Sequence, residues 1–123
     1  MKLQHDCVRD LLLTIEEELP LGKYFSTGSI HEKMQQYSKE DIFYTALKLL
    51  EAGYIDATEI KSIGLNDLKI KSLTYFGHLF LDNIRDDRIW VETKSAASKL
   101  SGVSLTVLAE LASSYVKRKL GLV

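Results

Sequence analysis

Apolar residues recur along the chain with two periods, and the change from one to the other predicts the fold. From about Leu3 to Leu19, the residues Leu3, Cys7, Val8, Leu11, Leu12 and Ile15 fall on one stripe at helical spacing. Glu16, Glu17 and Glu18 crowd the end of that helix, where the dipole disfavours acid, and Pro20 and Gly22 stop it. A short second helix is expected from Ser29, because Ser29-Ile30-His31-Glu32 has capping-box spacing and Ile30, Met34 and Tyr37 supply an apolar side. A third helix is expected over 38–53. Ser38 is in N-cap position with Glu40 and Asp41 in the first turn, Ile42, Ala46, Leu49 and Leu50 share one face, and Gly53 stops it.

The period then shortens to two. Residues 54–60 (YIDATEI) and 68–73 (LKIKSL) read as strands, with turn chemistry at Gly64-Leu65-Asn66-Asp67. Such a hairpin is marginal alone and must pack on the helices. A further helix follows Thr74, with Phe76, Phe80, Ile84 and Leu81 as its core candidates and Gly77 inside its first turn. Gly77 costs helix stability there, and close approach of another backbone is a reason to keep it. Asp82, Arg85, Asp86, Asp87 and Arg88 read as a mixed-charge surface, and residues 92–102 as a frayed helix and a break. A last helix is expected from Ser104 to about Leu120, with Lys117, Arg118 and Lys119 in its final turn.

Two close helices followed by a hairpin have helix-turn-helix spacing with a wing. The expected class is therefore mainly α with a small β-hairpin: a winged helix-turn-helix domain over 1–91 and a C-terminal helical extension over 92–123, forming a single globular unit. Length agrees, since 123 residues support one modest core. No run of 18 apolar residues indicates a membrane span. The N-terminal MKLQHDCVRD lacks an apolar h-region, and Cys7 is the only cysteine, so a cytoplasmic protein is expected.

The order of elements and the segment LTYFGHLFLDNIRDDRIW at 73–90 resemble a family of small bacterial and prophage proteins grouped as a domain of unknown function. HDCVRDLLLTIEE at 5–17, YSKEDIFYTALKLLEAGYI at 37–55 and SGVSLTVLAELAS at 101–113 carry the same resemblance. It implies a winged-helix-like fold and assigns no activity.

A winged helix of this kind would read DNA with its third helix. Lys39, Tyr44, Thr45 and Lys48 are the expected outward contacts, with Lys61, Lys69 and Lys71 of the hairpin as phosphate contacts. The charge distribution opposes this. The net charge is -1, with six basic and nine acidic residues over 1–53, five and six over 54–91, and five and two over 92–123. Duplex DNA is held largely by phosphate neutralisation, which calls for a basic face. The alternative is a winged helix used for protein contact, with the acidic N-terminal half as the docking surface.

On the last helix, Leu105, Leu108, Leu111, Ala112, Tyr115 and Val116 form a wide stripe that either closes the core or pairs with a second copy. His78 is expected to bond a carboxylate or backbone across the helix junction rather than act as a ligand or acid–base group. His5 and Cys7 have no second pair to complete a metal site, and Asp82, Asp86 and Asp87 interleave with arginines at salt-bridging distance. There is no P-loop, glycine-rich dinucleotide turn, nucleophile elbow or HExxH. No cofactor, metal or enzymatic activity is expected.

Overall fold

A computed structural model describes residues 1–122, apart from the side chain of Leu65. In order the elements are α1 (His5–Glu18), α2 (Thr27–Lys33), α3 (Lys39–Glu51), β1 (Ile55–Ser62), β2 (Leu65–Leu73), α4 (Tyr75–Ile84), α5 (Asp87–Ala97) and α6 (Leu105–Lys119). The fold is mainly α with one antiparallel hairpin, an arrangement compatible with a winged-helix-like fold and a C-terminal helix. The chain divides into two compact units, Met1–His78 and Leu79–Val123.

In the first unit α1 and α2 both pack on α3, and the hairpin closes against all three. Cys7, Val8, Leu11, Leu12 and Ile15 of α1 are buried with Ile42, Ala46 and Leu49 of α3 and with Leu68 and Ile70 of β2. The stripes expected on α1 and α3 are thus the buried faces, except that Leu3 precedes α1 and Leu50 is only half-buried. The acids at the end of α1, unfavourable for its dipole, meet partners from other elements. Lys33 Nζ lies 3.1 Å from Glu18 Oε1, and His78 Nδ1 lies 3.6 Å from Glu16 Oε2.

α2 starts earlier than Ser29. Ser26 is its N-cap and accepts from the Ser29 amide at 3.1 Å, while Asp67 of β2 accepts from the Thr27 amide at 3.0 Å. The capping-box spacing at Ser29–Glu32 was misleading because a second acceptor arrives from 40 residues away. Asp67 is therefore a strand residue, as is Asn66, and the turn contracts to Ile63-Gly64, with Gly64 at φ 76°. The ladder runs from Ile55↔Leu73 to Ser62↔Leu65, with a bulge between Asp56 and Ala57. Phe25, between α1 and α2, adds a one-residue bridge to Ile70: each amide donates to the other's carbonyl, at 2.9 and 2.8 Å.

At the base of the hairpin, Thr74 caps α4 by accepting from the Gly77 amide at 3.1 Å and donates to the Gly53 carbonyl at 2.5 Å. Along α4, Phe80, Leu81 and Ile84 are buried, whereas Phe76 is 64% exposed and stands edge-on to the exposed Tyr75. Phe76 was expected in the core. It lies four residues from Phe80, but the capped first turn faces solvent there.

In the second unit, the charged stretch 82–88 spans the end of α4 and the start of α5, with only Arg85 and Asp86 between the helices. Asp86 caps α5 by accepting from the Ile89 amide at 3.0 Å. The expected frayed region 92–102 is in its first half the ordered end of α5, which buries Ile89, Trp90 and Thr93 and packs on α6. Ser104 caps α6 as anticipated. Leu108 and Ala112 of α6 are fully buried within the chain, so neither is available to a second copy. Leu105, Leu111, Tyr115 and Val116 are half-buried.

Candidate nucleic-acid interface

The outward face of α3 is built by its cap and its stripe. Ser38 accepts from the Asp41 amide at 3.1 Å and fixes the start of the helix, and burial of Ile42, Ala46 and Leu49 turns Lys39, Glu40, Tyr44 and Lys48 away from the core. Thr45 does not join them. It is 2% exposed and donates to Cys7 Sγ at 3.4 Å. It sits one position before Ala46 and four after Asp41, on the edge of the stripe that meets α1, and so leaves the set of outward contacts.

Charge on this face is largely neutralised. Lys48 Nζ lies 3.0 Å from Glu51 Oε2 and 5.4 Å from the centre of the Tyr44 ring, and the Glu51 carboxylate pushes the Lys48 ammonium pKa up. At the far end of the hairpin, Lys61 lies 3.7 Å from Glu59.

The remaining candidates separate into two places. Lys39 borders a cleft of about 310 Å³ shared with Thr27, Gly28, Glu40, Phe43, Asn66 and Asp67. Asp67 accepts from the Thr27 amide and, at 2.7 Å, from the Leu68 amide. Burial raises the Asp67 pKa, but hydrogen bonds from Thr27 and Leu68 outweigh it and hold the carboxyl below its ordinary value. Lys69 and Lys71, on the outward side of β2, line a separate groove of about 450 Å³ with Lys23, Tyr24 and Asp56. Lys69 Nζ lies 4.4 Å from the Tyr24 ring centre. Lys23 and Tyr24 carried no motif. The only hint was an aromatic pair, Tyr24-Phe25, in a segment too short to show a strand period.

His78 and Glu16 form the carboxylate contact expected for a structural histidine. Asp82 bonds Arg85 at 3.0 Å. Among the described residues, no group of three or more His, Cys, Asp or Glu side chains is arranged to hold a metal ion. Among the described residues, no helix is long and apolar enough to cross a membrane.

Comparison with known proteins adds a family. The model of the hypothetical-protein family DUF2513 matches residues 2–104. The chain belongs to that family. The match takes in the first unit, α4, α5 and the cap of α6. The chain is also 29% identical over 122 residues to an "Uncharacterized protein" of Haemophilus influenzae, covering 98% of this chain and 99% of the relative. No solved structure matches. Family membership thus carries no activity to assign to either cleft.

Proposed function

We propose that this DUF2513 member is a non-enzymatic, cytoplasmic DNA-binding regulator of the winged-helix type, of prophage origin. The observation that supports it is the disposition of α2, α3 and the hairpin. Five residues, Met34–Ser38, join α2 to α3, α3 turns Lys39, Tyr44 and Lys48 outward, and the hairpin that carries Lys69 and Lys71 packs on α3. In helix-turn-helix proteins the second helix of such a pair enters the major groove, and flanking elements contact the backbone. Pairing through the half-buried Leu105, Leu111, Tyr115 and Val116 of α6 would give the two-fold dimer that palindromic sites require.

The test is titration of a labelled duplex from the protein's own promoter region against a random duplex over a range of salt. Regulation predicts tighter binding to the promoter and a steep loss with salt. With about four phosphate contacts, log K should fall against log salt with a slope of roughly -3 to -4. Absence of binding to either duplex at low salt rejects the reading.

One observation favours a second reading, protein contact. Lys48 and Lys61 are already engaged by Glu51 and Glu59, which lowers the attraction of α3 and the wing for phosphate. Tyr75 and Phe76 are exposed together at the start of α4, and paired exposed aromatics suit a protein contact better than a duplex.

A further inference from the structure

The groove beside β2 differs from the α3 face in one electrostatic respect. On α3 Lys48 is held by Glu51, leaving Lys39, and at the wing end Lys61 is held by Glu59. In the groove, Lys23, Lys69 and Lys71 face a single carboxylate, Asp56. Among the described residues, none of these three ammonium groups has an ion-pair partner. In a chain of net charge -1 this concentrates uncompensated positive charge.

The groove also holds exposed flat and apolar surface. Tyr24 is 56% exposed and Leu21 98% exposed, and both line it. Tyr24 is fixed on both sides in the chain. Gly22, at φ 85°, reverses the backbone before it, and Phe25 is pinned to Ile70 of β2 directly after it. The ring is thus a supported platform with the Lys69 ammonium over it, 4.4 Å from its centre. An acidic peptide would use the lysines and leave Tyr24 idle. A duplex hides the faces of its bases. An unpaired nucleotide strand uses both features, stacking a base on the ring and laying phosphates along the lysines.

From these features we infer that the groove formed by Lys23, Tyr24, Lys69 and Lys71 is a binding site for single-stranded nucleic acid, separate from the duplex-reading face of α3. Tyr24 is the stacking residue, and the three lysines track the backbone. The inference does not require that α3 read duplex DNA.

The test is fluorescence anisotropy at low salt with a labelled oligothymidylate of about 20 nucleotides, a length that spans more than one binding footprint. The wild-type chain should bind it. Tyr24→Ala should weaken binding roughly 5- to 150-fold, the range for loss of one base–aromatic stack, and Tyr24→Phe should restore it. Lys71→Glu should weaken binding several-fold, while Lys99→Glu, a matched charge reversal at an exposed residue of the second unit, should change it little. Circular dichroism checks that each variant is folded. The inference is overturned by absence of binding, by binding indifferent to Tyr24→Ala, by equal competition from a polyglutamate peptide, or by equal competition from thymidine monophosphate. The last result would mark a mononucleotide pocket instead. Strand binding without duplex binding would reject the regulator reading alone, and duplex binding without strand binding would reject this site alone.

Discussion

The backbone of Tyr54 lies against Gly77. A Cβ built on Gly77 would overlap the Tyr54 carbonyl oxygen and sit 3.0 Å from its carbonyl carbon. That carbonyl is fixed where it is, because it accepts from the Thr74 amide at 3.0 Å. Gly77 is therefore kept for clearance, at the point where the hairpin gives way to α4.

Gly77→Ala should destabilise the protein in spite of alanine's better helix propensity. Propensity alone would favour Ala by about 1 kcal/mol. Forcing a methyl group into filled space costs about 1–3 kcal/mol and sometimes more, and here the obstacle is backbone rather than a flexible side-chain end. A net loss of about 1–2 kcal/mol is expected in urea unfolding. A variant as stable as the wild type would show that the hairpin and α4 separate easily.

Asp67→Ala should cost about 1 kcal/mol at neutral pH, the usual worth of a helix cap, because it removes the acceptor of the Thr27 and Leu68 amides. The folded-state pKa of Asp67 is lowered, so the carboxylate's contribution is complete above the unfolded value, about 3.9, and is lost as pH falls through the folded one. The difference between wild type and variant should therefore shrink in acid below about pH 4. A difference constant between pH 7 and pH 3 would mean that the charge on Asp67 is irrelevant to the cap.

The contrast between Asp67 and Gly77 bears on what the chain discloses before it is folded. Gly77 stood out because a glycine in a helical turn breaks a local rule, and close backbone approach was a reason available from local physics alone. Asp67 sat in a run with Gly64 and Asn66 that matches turn chemistry, and its real partner, the Thr27 amide, is distant in sequence. Helix stripes on α1, α3 and α6 were legible because burial imposes a period on many residues at once. The Phe25–Ile70 bridge has no period, since it involves one residue on one side. The same limit governs the candidate site. Lys69 and Lys71 were visible as the polar half of an alternating strand, but Lys23 and Tyr24 reach the same groove from a loop. Thr45 was misplaced because a helical wheel places it at the margin of the stripe, and only the position of Cys7 decides which side of the margin it takes.

Thr45→Val should leave duplex affinity within about twofold while Lys39→Glu reduces it, if α3 reads DNA as proposed. A base-edge contact is worth about 1–3 kcal/mol, so a true contact at Thr45 would show a clear loss. Stability should change by less than about 1 kcal/mol, since the hydroxyl donates only to a thiol, a weak acceptor. A fivefold or greater loss of affinity in a folded Thr45→Val protein would restore Thr45 to the contact set.

Cys7 should resist thiol reagents in the folded state. It is fully buried, and burial, partly offset by the hydrogen bond from Thr45, pushes its thiol pKa up. Modification should be slow in buffer and rapid in urea, at a rate set by opening of the α1–α3 contact rather than by the reagent. The raised folded-state pKa also fixes a sign. Stability from this group is intact below the unfolded thiol value, about 8.5, and declines as pH rises past it, because the unfolded chain ionises first. Rapid labelling at neutral pH without denaturant would contradict the buried placement.

Leu108 and Leu111 should separate folding from association on α6. Leu108 is fully buried within one chain, so Leu108→Ala should cost about 2–4 kcal/mol through the cavity it leaves, with no change in mass in solution apart from unfolding. Leu111 is half-buried and retains surface for a second copy. If α6 pairs with itself, Leu111→Glu should halve the mass measured by sedimentation while the monomer stays folded, since a charge there meets the partner helix before it meets the core. A wild-type monomer at high micromolar concentration removes the dimer from the proposal. A dimer that survives Leu111→Glu moves the interface to another surface.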